Sequence, residues 1–140
     1  MKLTKNKIAI LILSLAGFFD SSYLTILHYK HVVPPCTITH GCETVLTSRF
    51  ATILGIPIAL SGVLFFLVLI VLLLSRFSNY FKLWLYGGVA VSFILLYLQA
   101  FVLHAFCQYC LLVEAIVLTI FVINIFLNKP KDDLSEAKLN

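Results

Sequence analysis

The stretch FCQYCLLVE at residues 106–114 decides how the rest of the chain is interpreted. It places Cys107 and Cys110 three residues apart at the entrance of a long apolar run. The chain has only two other cysteines, Cys36 and Cys42, which lie in its one substantial polar loop. Two cysteine pairs can exchange electrons when a thiolate of one pair attacks the disulfide of the other. Such exchange requires the remaining sequence to bring both pairs to one place.

Composition assigns the chain to the integral membrane proteins. Of its 140 residues, 61% are hydrophobic and only 11% are charged. A soluble domain of this size could not cover so much apolar side chain with so little polar surface. A single membrane domain, residues 1–140, is expected. The net charge of +4 does not indicate nucleic-acid binding, because the basic residues form no stripe with interleaved aromatic residues.

Apolar runs predict four transmembrane helices, at residues 8–28, 56–74, 83–103 and 107–127. These lengths suit a hydrocarbon core of about 30 Å. The first run shows no convincing cleavage site, so it is expected to remain as an uncleaved helix. In the outer loop, 29–54, the apolar positions after Glu43 predict a short amphipathic helix on the membrane surface or over a pocket. The polar tail is residues 128–140.

The basic residues predict the orientation of these helices. Eight of the ten lie at the N-terminus, in the turn at 75–82 and in the tail, whereas the outer loop has only Lys30 and Arg49. Cytoplasmic segments carry the excess of Lys and Arg, so both termini are placed in the cytoplasm. Four spans then put all four cysteines at the outer face, where disulfides persist.

The position of Cys107 and Cys110 at a helix N-terminus favours redox chemistry. The helix dipole and the free N–H groups there stabilise a thiolate and lower the pKa of the first cysteine. A mobile loop pair, Cys36 and Cys42, and a fixed helical pair are the parts that a disulfide relay needs. Electrons that reach a pair in apolar surroundings need an acceptor, and a lipid-soluble quinone between the helices is the natural candidate.

Asp20 and Glu114 are ionisable residues inside predicted spans, where a functional role is the default hypothesis. Glu114 follows Cys110 by one turn on the same helical face, which makes it a candidate quinone contact or proton donor. Asp20 lies near the middle of the first span and is a candidate for a hydrogen bond within the bundle or for a redox role. His104 lies one turn before the Cys-x-x-Cys motif, either as a thiolate-stabilising group or as an interface histidine.

Two non-catalytic interpretations of the cysteines stay open. Both pairs could be static disulfides that staple the protein. Alternatively, five side chains could supply zinc ligands: Cys36, His40, Cys42, Cys107 and Cys110. The five residues between Cys36 and Cys42 argue against a zinc motif, and the oxidising face disfavours free thiolates, so no metal site is predicted. A zinc-binding or disulfide-stapled membrane protein therefore remains the alternative to an enzyme.

A set of motifs spread over residues 8–127 occurs together in one known family. They are Ser22-Tyr23-Leu24-Thr25, His28-Tyr29, Cys36-x5-Cys42-Glu43, Val45, Ser48, Gly55-Ile56-Pro57, Gly62 and Phe106-Cys107-x-Tyr109-Cys110. On these motifs the chain resembles bacterial homologues of vitamin K epoxide reductase (VKOR), in a single-domain form without a fused thioredoxin domain. The resemblance implies an all-α integral membrane protein. Its four-transmembrane-helix bundle would surround a quinone, with an extracytoplasmic loop and a short lid helix.

The resemblance also implies a role for each cysteine. Cys36 would face a soluble thioredoxin-like partner, Cys42 would exchange with Cys107, and Cys110 would lie next to the quinone. Ser48 matches the family's polar lid residue near the quinone head group.

The expected function is a quinone-dependent, disulfide-forming thiol oxidoreductase of a bacterial inner (plasma) membrane, active at the periplasmic face. It would reoxidise a DsbA-like, thioredoxin-fold partner that is a separate chain. The quinone, ubiquinone or menaquinone, would be bound by Ser48, Cys110 and Glu114. Glu114 and Ile58 stand where vertebrate members have a tyrosine and an asparagine that contact the quinone. The other four-span, quinone-linked family, the DsbB type, has its cysteine pairs in the opposite order along the chain.

Overall fold

Four apolar helices and one short helix make up most of the protein. A computed structural model describes residues 4–75 and 78–127. The helices are α1 (Lys5–Tyr29), α2 (Cys42–Leu46), α3 (Ile58–Leu74), α4 (Ser78–Tyr97), which continues as a π-helical segment (Leu98–Val102), and α5 (Gln108–Leu127). The predicted tail and several of the basic residues used to orient the chain lie outside the described residues.

Three of these helices are long and apolar enough to cross a membrane: α1, α4 with its π-helical segment, and α5. The fourth, α3, is apolar but has only 17 residues. At 1.5 Å per residue it is about 26 Å long, slightly less than a typical hydrocarbon core of about 30 Å. The chain is therefore a predominantly helical membrane protein, and the count of four spans stays a prediction.

The long helices form a ring in which α1 packs on α3 and α5, and α4 closes the ring by packing on α3 and α5. The close approach of α1 to α3 depends on small residues. Phe66 of α3 is fully buried, and its ring lies directly over Gly17, where a Cβ atom would collide with it. Gly62 lies similarly against Ser21. A core of buried apolar side chains packs between these helices: Ile10, Phe66, Leu69, Leu73, Phe81, Leu85, Val89, Ile116, Val117 and Ile120.

The segment after the first cysteine pair differs from the predicted amphipathic helix. Helix α2 ends at Leu46, and a 3₁₀ turn (Arg49–Ala51) leads into two short antiparallel strands, β1 (Thr52–Ile53) and β2 (Ile56–Pro57). Leu54 and Gly55 join the strands with φ angles of 54° and 82°, the left-handed conformations that tight hairpins require. A glycine at the turn and β-branched residues in both strands favour this hairpin, which is a small addition to an otherwise helical fold.

Candidate functional site

The fold brings the two cysteine pairs into one small cluster. Cys36 and Cys42 form a disulfide with a Cα–Cα distance of 5.9 Å, while Cys107 and Cys110 are free thiols. Cys42 and Cys107 are both fully buried and share a cluster with Val45, against which Cys36 and Cys110 pack. Cys36 is half-buried. The pairs are thus placed for exchange through their two buried members.

Cys107 lies directly before α5 and accepts the first hydrogen bond of that helix, from the N–H of Leu111 to its carbonyl oxygen at 2.9 Å. A hydrogen bond with the Cys110 side chain lowers the pKa of the Cys107 thiol to about 7, helped by the backbone N–H groups of Cys110 and Tyr109. Burial opposes this change and is outweighed. Cys107 can therefore lose its proton and form a thiolate near neutral pH, as expected at a helix N-terminus.

Gln99 links Cys107 to Glu114. Its side chain is 3% exposed. The backbone N–H of Cys107 donates to its Oε1 at 3.0 Å, and its Nε2 donates to Oε1 of Glu114 at 2.9 Å. Gln99 lies in the π-helical segment that ends α4, and such segments are frequent at functional sites. Gln99 was not among the residues predicted from the sequence, although a glutamine inside an apolar run is a signal of a buried polar contact.

Two buried carboxyl oxygens have no hydrogen-bond partner within the described residues: Oε2 of Glu114 and Oδ2 of Asp20. An unsatisfied buried polar atom costs roughly 1–3 kcal/mol. For Glu114, which is 5% exposed, the free oxygen belongs to a side chain that lines a large cavity. This oxygen is available to a ligand or to a proton.

The cavity has a volume of about 660 Å³ and is bounded by α1, α3, α4, α5 and the segment around α2. Its wall is largely apolar. The polar side chains in this wall include Ser21, His28, Ser48, Ser61, Ser92, Gln99, Cys110 and Glu114. Small-molecule sites in proteins have this character, an apolar enclosure with a few polar groups, and a similar size.

The model of the vitamin K epoxide reductase family matches residues 8–125. The chain belongs to this family. The predicted family is thereby confirmed, and the VKOR family makes the protein a membrane thiol oxidoreductase. Members of the VKOR family use quinones and generally work with thioredoxin-like partners.

The cavity fits the quinone that the VKOR family implies. The apolar wall suits a lipid-soluble ring, and the unpartnered Oε2 of Glu114 offers a polar contact. The three predicted quinone contacts, Ser48, Cys110 and Glu114, all line this one cavity. Ser48 donates its hydroxyl hydrogen to the carbonyl oxygen of Val45 at 2.8 Å, so its oxygen is left as an acceptor.

The remaining candidates lie elsewhere. His104 and His40 are exposed residues with positive φ angles, and neither lines the cavity. In residues 4–75 and 78–127 no group of three or more His, Cys, Asp or Glu side chains could hold a metal ion. The sulfur atoms of Cys36 and Cys42, two of the five possible zinc ligands, are bonded to each other instead.

Proposed function

We propose that this VKOR family member is a quinone-dependent, disulfide-forming oxidoreductase that oxidises a thioredoxin-fold partner. One observation carries the proposal: two cysteine pairs meet at buried Cys42 and Cys107, and Cys110 of the second pair also lines an apolar cavity. The first pair is half-buried at Cys36 and within reach of a partner. The second pair adjoins a site for a lipid-soluble acceptor.

The first step takes place at the loop pair. A thiolate of the reduced partner attacks Sγ of Cys36 and breaks the Cys36–Cys42 disulfide, and Cys42 leaves as a thiolate. The second partner thiol then attacks its own sulfur in the mixed disulfide and releases Cys36. The partner loses two electrons and two protons and gains a disulfide, and the loop pair becomes a dithiol.

The second step passes the electrons to the helical pair. The Cys42 thiolate attacks Sγ of Cys107 in a Cys107–Cys110 disulfide, and Cys110 leaves as a thiolate. Cys36 then attacks Cys42, restores the loop disulfide and releases Cys107. The lowered pKa of Cys107 makes it a good leaving group in this step. The arrangement described here, with an oxidised loop pair and a reduced helical pair, corresponds to the product of this transfer.

The third step returns the helical pair to a disulfide. A bound quinone supplies the acceptor for two electrons and two protons. Cys110 lies at the cavity wall and is the thiol placed to react there, and Glu114, one turn further along α5, can hold or move a proton through its free Oε2. Ser48 lines the cavity, and its hydroxyl oxygen can accept a hydrogen bond from a hydroxyl group of the reduced head group.

The membrane arrangement belongs to the same proposal. The four long helices span a bacterial inner membrane, both termini lie in the cytoplasm, and the cysteine cluster lies at the outer face. The segment from α2 to β2 covers the cavity as a lid. The partner is a DsbA-like protein, and the quinone is ubiquinone or menaquinone.

A purified-protein assay tests the proposal. The protein in detergent is mixed with a reduced DsbA-like protein and a quinone, and quinol formation is followed by absorbance. We expect turnover in the wild type and none in Cys110→Ala, whereas Thr119→Ala, an exposed position on α5, should keep wild-type turnover. No quinol from the wild type, or full turnover in Cys110→Ala, would show that the proposal is wrong.

A further inference from the structure

The two residues between the cysteines of the helical pair contact the loop that carries the other pair. The backbone N–H of Ile38 donates to Oε1 of Gln108 at 3.0 Å. The hydroxyl of Tyr109 donates to the carbonyl oxygen of Pro35 at 3.1 Å. These two hydrogen bonds hold the loop backbone on both sides of Cys36. Gln108 and Tyr109 therefore do more than separate the two cysteines of the motif, because both bind the loop.

Gly41 provides a third contact between the same two segments. A Cβ atom at this position would lie 2.6 Å from the carbonyl oxygen of Phe106 and 2.8 Å from its nitrogen. The φ angle of Gly41 is −104°, so the glycine is needed for close approach and not for an unusual conformation. The residue before Cys42 thus lies directly on the residue before Cys107.

The loop has no regular secondary structure of its own that would hold these contacts in place. Residues 32–41 contain no helix or strand, and the partners of Gln108 and Tyr109 are 70 and 74 positions away in sequence. An irregular segment held by a few long-range contacts keeps its position only while those contacts persist. Holding two reacting groups in one geometry greatly increases their rate of reaction.

We propose that Gln108 and Tyr109 are positioning residues that dock the loop on the start of α5 and hold Cys42 against Cys107. The inference rests on the proposed function, because it concerns the transfer between the two pairs. That transfer converts the Cys107–Cys110 disulfide to two thiols and restores the Cys36–Cys42 disulfide. The docking hydrogen bonds are solvent-exposed, so the loop can leave α5 while Cys36 reacts with a partner and then return.

A rapid-quench experiment separates the two steps. Full-length protein with both pairs oxidised is mixed with dithiothreitol in the absence of quinone. Samples are quenched with acid at successive times, and the disulfides are mapped by mass spectrometry. The variants are Gln108→Ala, Tyr109→Phe, which keeps the ring beside Tyr23, and Gly41→Ala. Thr44→Ala, an exposed position on α2, is the matched control.

We expect reduction of Cys36–Cys42 at the wild-type rate or faster in every variant. Transfer to Cys107–Cys110 should fall about threefold to tenfold in Gln108→Ala and in Tyr109→Phe, the range that corresponds to one lost hydrogen bond. It should also fall in Gly41→Ala and stay unchanged in Thr44→Ala. Gln108→Glu retains an acceptor for the Ile38 N–H and should restore the rate, which a general loss of structure would not allow.

Several results would overturn the inference. Wild-type transfer in both Gln108→Ala and Tyr109→Phe would show that the loop needs no docking. Equal slowing of loop reduction and transfer, or no rescue by Gln108→Glu, would assign these residues a purely structural role. If the wild type itself shows no transfer between the pairs, the proposed function fails, and this result is distinct from failure of the docking contacts alone.

Discussion

Burial and hydrogen bonding have opposite effects on the pKa of Cys107. The hydrogen bond from the Cys110 side chain has the larger effect. Burial disfavours a thiolate, because it removes water from the charged form. The Cys110 side chain and two backbone N–H groups stabilise the thiolate more than burial destabilises it, and the pKa falls to about 7. The reactivity of Cys107 therefore depends on its partner in the motif as well as on the start of α5.

This dependence gives a prediction on pH. With the loop disulfide intact, the Cys107 thiolate should form as the pH rises through about 7, measured as thiolate absorbance in the ultraviolet. In Cys110→Ala the main stabilising bond is lost while burial remains, so the midpoint should move to about 8.5, the ordinary thiol value, or above. Cys107→Ala is the control and should remove the transition. An unchanged midpoint in Cys110→Ala would contradict the assigned cause.

Gln99 gives a second prediction at this scale. Gln99→Leu leaves the backbone N–H of Cys107 and one oxygen of Glu114 without their buried partner. We expect the free energy of unfolding to fall by about 1–3 kcal/mol, measured by denaturant unfolding in detergent. Thr119→Val removes an exposed hydroxyl bond within α5 and should change stability far less. Equal stabilities of the two variants would show that the Gln99 contacts contribute little.

The residues of the site differ in whether the sequence alone can predict them. Cysteine spacing and the helix start identify the two pairs, and the one-turn offset from Cys110 identifies Glu114. Gln99 leaves a signal as a glutamine inside an apolar run, whereas Gln108 and Tyr109 act through partners 70 and 74 positions away in sequence. No local pattern encodes such contacts, so sequence reasoning could not assign them a role.

At the level of elements, the apolar runs predicted the long helices well and the connecting loop poorly. Each apolar run folds as a long helix, because the length and spacing of its apolar residues are local properties of the sequence. The loop did not follow its apolar pattern beyond Leu46, because a left-handed turn at Leu54 and Gly55 folds the following residues back into a hairpin. The end of α4 was also missed, because a π-helical segment leaves no simple spacing signal.

Two adjacent glycines in α4 provide a test of how closely the helices pack. A Cβ atom at Gly88 would collide with the ring of Phe65, which stacks on Trp84 at 5.9 Å, whereas one at Gly87 meets nothing within 4 Å. Gly88→Ala should therefore lower the free energy of unfolding by about 1–3 kcal/mol. Gly87→Ala is the matched control and should raise it by up to about 1 kcal/mol through helix propensity. Thermal unfolding in detergent distinguishes them, and equal effects would contradict the proposed contact.

At the scale of the whole molecule, the fold itself establishes that the end of α1 and the start of α5 lie at the same end of the bundle. The loop that leaves α1 reaches α5 within ten residues and is held there by the hydrogen bonds of Gln108 and Tyr109. This placement brings the cysteine pairs together whichever way the bundle lies in a membrane. The side of the membrane on which they lie follows only from the distribution of basic residues.

Orientation can be measured with two engineered cysteines at opposite ends of the bundle. Lys5 begins α1 and Thr44 lies in α2, and both side chains are exposed. Helix α1 has 25 residues and is about 37 Å long, so the ends of a spanning α1 lie on opposite sides of the membrane. In a protein with all four native cysteines replaced by serine, a membrane-impermeant maleimide should label Thr44→Cys only in intact spheroplasts. It should label Lys5→Cys only in inside-out vesicles. The reverse pattern would place the cysteine cluster in the cytoplasm, where a disulfide-forming role is untenable, and labelling of both positions from one side would exclude a spanning α1.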